Sequence, residues 1–107
     1  MNVIPTGKNS AVQMFPGVTR QLITHGQKAM VVRIAMALGS HIPSHSHPHE
    51  QIGFVLSGKM RLTISGNPED LCAGDAYSIS SNALHSVDAI EDCVAIDVFS
   101  PLRDEYL

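Results

Sequence analysis

Gly39-Ser40-His41-Ile42-Pro43-Ser44-His45-Ser46-His47-Pro48-His49-Glu50-Gln51 carries four of the six histidines of the chain within nine residues. Imidazole is the commonest metal ligand in proteins, because its neutral form offers a nitrogen lone pair at physiological pH. Side chains on an extended chain alternate between two faces, so His45 and His47 share a face and can grip one ion from the same side. A third donor from this stretch has to wait for a bend. Pro48 supplies one, and Gln51 or Glu50 stands just past it, where an apolar strand begins. His41 and His49 are expected on the rim of such a site or behind its ligands. His85 follows the turn Ser80-Ser81-Asn82 and opens a segment that can pair antiparallel beside the histidine-rich one. His25 is isolated and reads as an ordinary surface or core residue.

Outward from this stretch the pattern is almost wholly β. Met60, Leu62 and Ile64 alternate with Arg61, Thr63 and Ser65, the period-two signal of a half-buried strand. Residues 20–24, 52–56, 70–72, 76–79, 84–89 and 93–99 read as further short strands. Residues 29–38 form a β-branched and Met-rich run, expected to be a strand buried on both faces. Ser57-Gly58 and Gly66-Asn67-Pro68 read as tight turns. No segment sustains a helical apolar period, and only residues 102–107 are expected to form a helical turn. About nine or ten short strands, spaced roughly 8–12 residues apart, predict an all-β sandwich or barrel.

Composition narrows the classes. The 107 residues suffice for one compact core, so residues 1–107 are expected to be a single domain. Hydrophobic residues at 44% and charged residues at 16% exclude a disordered chain. The net charge of −3 with 7 Lys+Arg leaves no basic stripe, so no nucleic-acid partner is expected. The run 29–38 is interrupted by Arg33 and is too short to span a bilayer, so no membrane partner is expected either. Residues 1–8 have no basic segment followed by an apolar one, which points to a cytoplasmic chain. In that compartment Cys72 and Cys93 are expected to be reduced core thiols.

Gly39-x5-His45-x-His47-x3-Gln51-x6-Gly58 resembles the first motif of the cupin family, in which Glu normally stands where Gln51 does. Gly74-Asp75-Ala76-Tyr77-Ser78-Ile79, leading to Asn82-Ala83-Leu84-His85, resembles the second motif. It departs from that motif with Ser80 in place of Pro and Asn82 in place of Gly. The resemblance implies a double-stranded β-helix, a jelly-roll barrel of two packed antiparallel sheets. It also implies a homodimer and one divalent metal ion held by His45, His47, Gln51 and His85. Glu50 stays open as an alternative ligand, although its parity relative to His45 and His47 is wrong if the strand resumes early.

Glutamine at that position carries chemistry. Three imidazoles and an amide oxygen are all neutral, so the ion keeps its full charge, binds more weakly and acts as a stronger Lewis acid. The set supplies less electron density for oxygen activation, where two histidines and a carboxylate are the common arrangement. Ni, Zn, Fe, Mn and Co are all compatible with it.

Asp97 is an acid in the otherwise apolar run 94–99. A carboxylate there costs several kcal/mol of desolvation unless it is paired or faces a wet cavity. Two readings follow: an edge-strand Asp paired with Arg103, or a general acid–base group facing the barrel interior. Phe99 shares its strand face, and Arg103 follows a Ser-Pro turn that can fold it over the barrel mouth. With Asp97-x-Phe99-Ser100-Pro101-x-Arg103 added, the chain is similar to small pectin-degradation cupins of the KdgF type. Those open the ring of 4,5-unsaturated uronates released from pectin or alginate. The resemblance implies a small carboxylated sugar as substrate, Asp97 as proton shuttle, Phe99 against the sugar face and Arg103 on the carboxylate. Two other classes stay open. One is a metal-dependent dioxygenase acting on a small organic substrate; the other is a non-catalytic module that binds a sugar or a metal.

Overall fold

Antiparallel pairing accounts for nearly all of the regular structure in the computed structural model, which describes residues 3–107. Met1 and Asn2, where the reading of the chain start begins, lie outside the described residues. The strands are β1 (Val12–Phe15), β2 (Val18–His25), β3 (Met30–Met36), β4 (His41–His45), β5 (Glu50–Ser57), β6 (Lys59–Ile64), β7 (Asn67–Cys72), β8 (Ala76–Ile79), β9 (His85–Ala89) and β10 (Cys93–Ser100). A six-stranded sheet runs β1-β2-β3-β10-β5-β8, and a four-stranded sheet runs β4-β9-β6-β7. This is the all-β, two-sheet architecture expected. The expected helical turn is a short 3-10 turn at Asp104–Tyr106. Among the described residues no helix is long and apolar enough to cross a membrane.

The two sheets face each other across apolar side chains. Met30, Val32, Ile34 and Met36 of β3, Val55 of β5 and Phe99 of β10 meet Ile42, Met60 and Leu62 from the other layer. The run 29–38 is therefore not buried on both faces as expected. Burial alternates along β3, and Val31, Arg33 and Ala35 are only half-buried, because a sandwich covers one face of each sheet. Cys72 also departs from expectation. It is exposed on β7, the edge strand of the smaller sheet, while Cys93 is buried on the central strand β10.

Local corrections have local causes. The β6–β7 hairpin turns over Ser65-Gly66, with φ of 49° and 83°, and not over Gly66-Asn67-Pro68. Both residues adopt the left-handed conformation that matches the twist of a two-residue hairpin. Asn67 and Pro68 already belong to β7, where an edge position tolerates the missing N–H of proline. β4 escaped the pattern reading because its register shifts between Ile42 and His45, and the irregularity breaks the period-two alternation. β5 crosses to β6, and so from one sheet to the other, at Gly58, whose φ is 79°. A Cβ there would lie 2.7 Å from Cys93 Cα, so only glycine fits this corner.

Candidate metal centre

β4 and β9 pair so that His45 stands opposite His85. His47 lies just past the end of β4, and the bend at Pro48 leads into Gln51 on the inward face of β5. The ring centroids of His45 and His85 are 4.2 Å apart, those of His47 and His85 5.0 Å, and those of His45 and His47 5.7 Å. One nitrogen of each ring lies within 4.8 Å of the corresponding nitrogens of the other two. The sequence expectation thus brings together three histidines from two separate segments.

Each ring is turned by a carbonyl two residues away. His45 Nδ1 donates to the Pro43 carbonyl at 2.9 Å, His47 Nδ1 to the His49 carbonyl at 3.0 Å and His85 Nδ1 to the Ala83 carbonyl at 2.8 Å. A carbonyl can only accept, so the proton sits on Nδ1 and the lone pair on Nε2. His85 Nε2 is buried with no hydrogen-bond partner. His47 Nε2 faces Gln51 Oε1 at 3.1 Å, one lone pair against another. A cation between these atoms turns both defects into ligand bonds, so the donor set fits a divalent ion. Burial, with Arg103 adding its charge, pushes His47 below its ordinary value. Burial likewise lowers His85 to about 4. Both rings stay neutral at physiological pH, as ligation requires.

The flanking residues divide by strand parity. Glu50 is exposed on the outward face of β5, beside the buried Gln51. His41 is exposed and pairs with Asp88 at 2.7 Å. His49 is half-buried and contributes the backbone carbonyl that orients His47. His25 is exposed at the end of β2.

Asp97 does not match the edge-strand reading. It lies on β10, between β3 and β5, and is 5% exposed. The register sets Asp97, Gly53 and Tyr77 in one row across β10, β5 and β8. Gly53 leaves a gap in the middle of that row, and the Tyr77 hydroxyl reaches across it to donate to Asp97 Oδ1 at 2.5 Å. A Cβ at Gly53 would lie 2.8 Å from the Tyr77 oxygen and 2.6 Å from the Ile96 carbonyl. Burial pushes the Asp97 carboxyl up to about 6, against the pull of hydrogen bonds from Tyr77 and Gln51 and the charge of Arg103. Burial and the neighbouring Asp97 push the Tyr77 phenol far above its ordinary range, so it acts as a donor here.

A cavity of about 310 Å³ opens between the sheets. His45, Gln51, His85, Tyr77, Asp97 and Arg103 line its polar part, while Met36, Ile42, Met60 and Leu62 line its apolar part. Phe99 is 2% exposed and forms a wall, with its ring 5.7 Å from that of His47. Arg103 does fold back over the cavity, but its ion-pair partner is Glu105, at 2.8 Å, and not Asp97. Sequence reasoning missed Tyr77, Glu105 and Tyr106. Tyr77 did carry a signal, since it shares inward parity with Ile79 inside a quoted motif.

The Cupin domain profile matches residues 32–99 of the chain. Pectin degradation protein KdgF of Dickeya dadantii is 37% identical over 93 residues, covering 85% of this chain and 84% of that protein. The solved structure of KdgF from a Halomonas species superposes with a TM-score of 0.93 at 29% identity, covering 100% of this chain and 99% of that one. An RmlC-like cupin from Shewanella frigidimarina shares the fold, with a TM-score of 0.93 at 23% identity and coverage of 100% and 96%. On profile, identity and fold together, the chain belongs to the cupin family, and within it the chain is similar to KdgF proteins.

Proposed function

We propose that the protein opens the ring of a 4,5-unsaturated uronate, with a divalent ion held by His45, His47 and His85 through Nε2 and by Gln51 through Oε1. The observation that carries this reading is Asp97, a buried carboxyl in the same cavity as the His45 and His85 imidazoles, with its pKa raised by burial to about 6. The similarity to a protein named for pectin degradation supports the sugar-acid class of substrate.

When bound, the ion supplies Lewis acidity toward the carboxylate and ring oxygen of the sugar. Asp97 takes the proton of the anomeric hydroxyl. The carbonyl forms at that carbon as its bond to the ring oxygen breaks, and the electron pair stays on the oxygen as an enolate. Asp97 then returns its proton to the neighbouring vinylic carbon, and the enolate becomes a ketone. The net change is an isomerisation, so no oxidant or reductant is consumed. Tyr77 holds Asp97 in place, Arg103 pairs with the substrate carboxylate, and Phe99 closes the wall behind them.

The test is the ultraviolet absorbance of an unsaturated galacturonate monomer, followed after addition of protein whose metal content has been measured. Its disappearance without oxygen uptake is expected. Unchanged absorbance overturns the reading, oxygen-dependent turnover places the chain with the dioxygenases, and binding without turnover makes it a binding module.

The same reading extends to assembly and compartment. Ile52, Phe54 and Leu56 are 46%, 41% and 52% exposed on the outward face of β5. In register beside them, Ile96 and Val98 of β10 extend an apolar stripe over the larger sheet. A second copy of the chain covers this face in a homodimer. Free thiols at Cys72 and Cys93 suit a reducing cytoplasm.

A further inference from the structure

Arg103 is 8% exposed, a high degree of burial for a long charged side chain. Its guanidinium carbon lies 4.1 Å from the Tyr106 ring centroid and 5.0 Å from that of Phe99. Arg20 also lies over Tyr106, at 4.7 Å, and its Nη2 donates to the Glu105 carbonyl at 3.2 Å. The 3-10 turn Asp104–Tyr106 is thereby tied to β2. Stacking fixes the plane of a guanidinium but leaves it free to spin within that plane. It does not decide which edge of the fork faces the cavity.

Glu105 decides it. Its Oε1 accepts from Arg103 Nε at 3.1 Å and from Nη2 at 2.8 Å, the two donors on one side of the fork. Nη1 makes no hydrogen bond among the described residues. Arg103 and Tyr106 line the cavity, whereas Glu105 does not, so the carboxylate grips the guanidinium from outside. We propose that Glu105 is a positioning residue for carboxylate recognition. It holds Arg103 by the Nε side, so that the Nη1–Nη2 end of the fork is presented to the cavity and takes the carboxylate of the substrate. The ligand class, a sugar acid, rests on the uronate reading above. Only one end of the pair is buried: the Arg103 side chain is 10% exposed and that of Glu105 61%, so water screens the carboxylate and lowers what the pair adds to folding, whereas its grip on one edge of the fork is unaffected. A fork locked in orientation loses less entropy when it binds a planar carboxylate bidentately.

The experiment uses the metal-loaded full chain and two readouts. Calorimetry measures binding of saturated galacturonate, which has no double bond to react, and steady-state kinetics follows the unsaturated monomer. Glu105→Ala is expected to weaken galacturonate binding and raise KM by about tenfold, while kcat changes by less than about twofold and Tm is preserved. Glu105→Gln keeps the Oε1 acceptor and is expected to recover most of the affinity. Tighter binding in Glu105→Ala overturns the proposal, because it makes Glu105 a competitor for Arg103. Unchanged affinity, or loss of kcat together with Tm, also overturns it. If wild type binds galacturonate but leaves the unsaturated sugar intact, the ring-opening reading fails and the affinity pattern of the variants still decides the role of Glu105. If wild type binds no uronate, both fall.

Discussion

Asp97 makes folding less favourable where it makes chemistry available. Its carboxyl titrates near 6 in the folded chain, against an ordinary value of 3.8. The folded state therefore binds that proton more tightly than the unfolded state does. Its contribution is fully present below pH 3.8 and is lost as pH rises toward 6, by up to about 3 kcal/mol. In metal-stripped protein, Asp97→Asn should match wild type in Tm at pH 3.5 and exceed it above pH 7. The same substitution should cut turnover of the metal-loaded protein by roughly 10²–10⁴. A Tm that falls at pH 8 would mean that Asp97 is a structural group. Gln51 invites a second substitution. Gln51→Glu adds charge to the donor set and removes the amide donor beside Asp97. Metal should bind more tightly, and turnover per bound metal should slow, because the ion loses Lewis acidity. Metal analysis alongside kcat checks this, and a faster variant would show that the neutral donor is incidental.

Three adjacent strands make the acid possible. Tyr77, Gly53 and Asp97 come from β8, β5 and β10, and the hydroxyl reaches the carboxyl only because the middle strand has no side chain at that point. Gly53→Ala should destabilise the fold by about 1–3 kcal/mol through overpacking and should separate the pair. Tyr77→Phe removes the hydrogen bond without crowding the row. If thermal denaturation finds Gly53→Ala as stable as wild type, the close approach is not a constraint. This row also shows what was legible in the sequence. The histidines could be read because His45 and His47 are neighbours and His85 sits in a quoted motif. The Asp97–Tyr77 pair could not, because it depends on register between strands distant in sequence and on a side chain that is absent. Of the two readings open to Asp97, the structure agrees with the one that faces the barrel interior and not with the edge-strand pairing to Arg103, and its partner Tyr77 is not legible in the sequence. Cys72 was misread for a related reason: composition marks a thiol as apolar, and only sheet order reveals that β7 is an edge.

At the scale of the molecule, the outer face of the larger sheet is the feature still to be covered. Phe54→Lys puts a charge in the middle of the apolar stripe formed with Ile52 and Ile96. Sedimentation should show wild type as a dimer and the variant as a folded monomer. A monomeric wild type would leave the stripe as ordinary exposed surface. The inner face has a different consequence. His45 and His85 belong to the smaller sheet, whereas Gln51 and Asp97 belong to the larger one. On the proposed ligand set, an ion gripped by both His85 and Gln51 would work as a buckle between two straps. Its bond lengths are fixed to within a few tenths of an ångström, while the straps are held roughly 10 Å apart by whatever side chains fill the space between them. Met60 and Leu62 thereby become spacers. An extra methylene at either would be felt at the metal as a stretched bond, with no ligand altered.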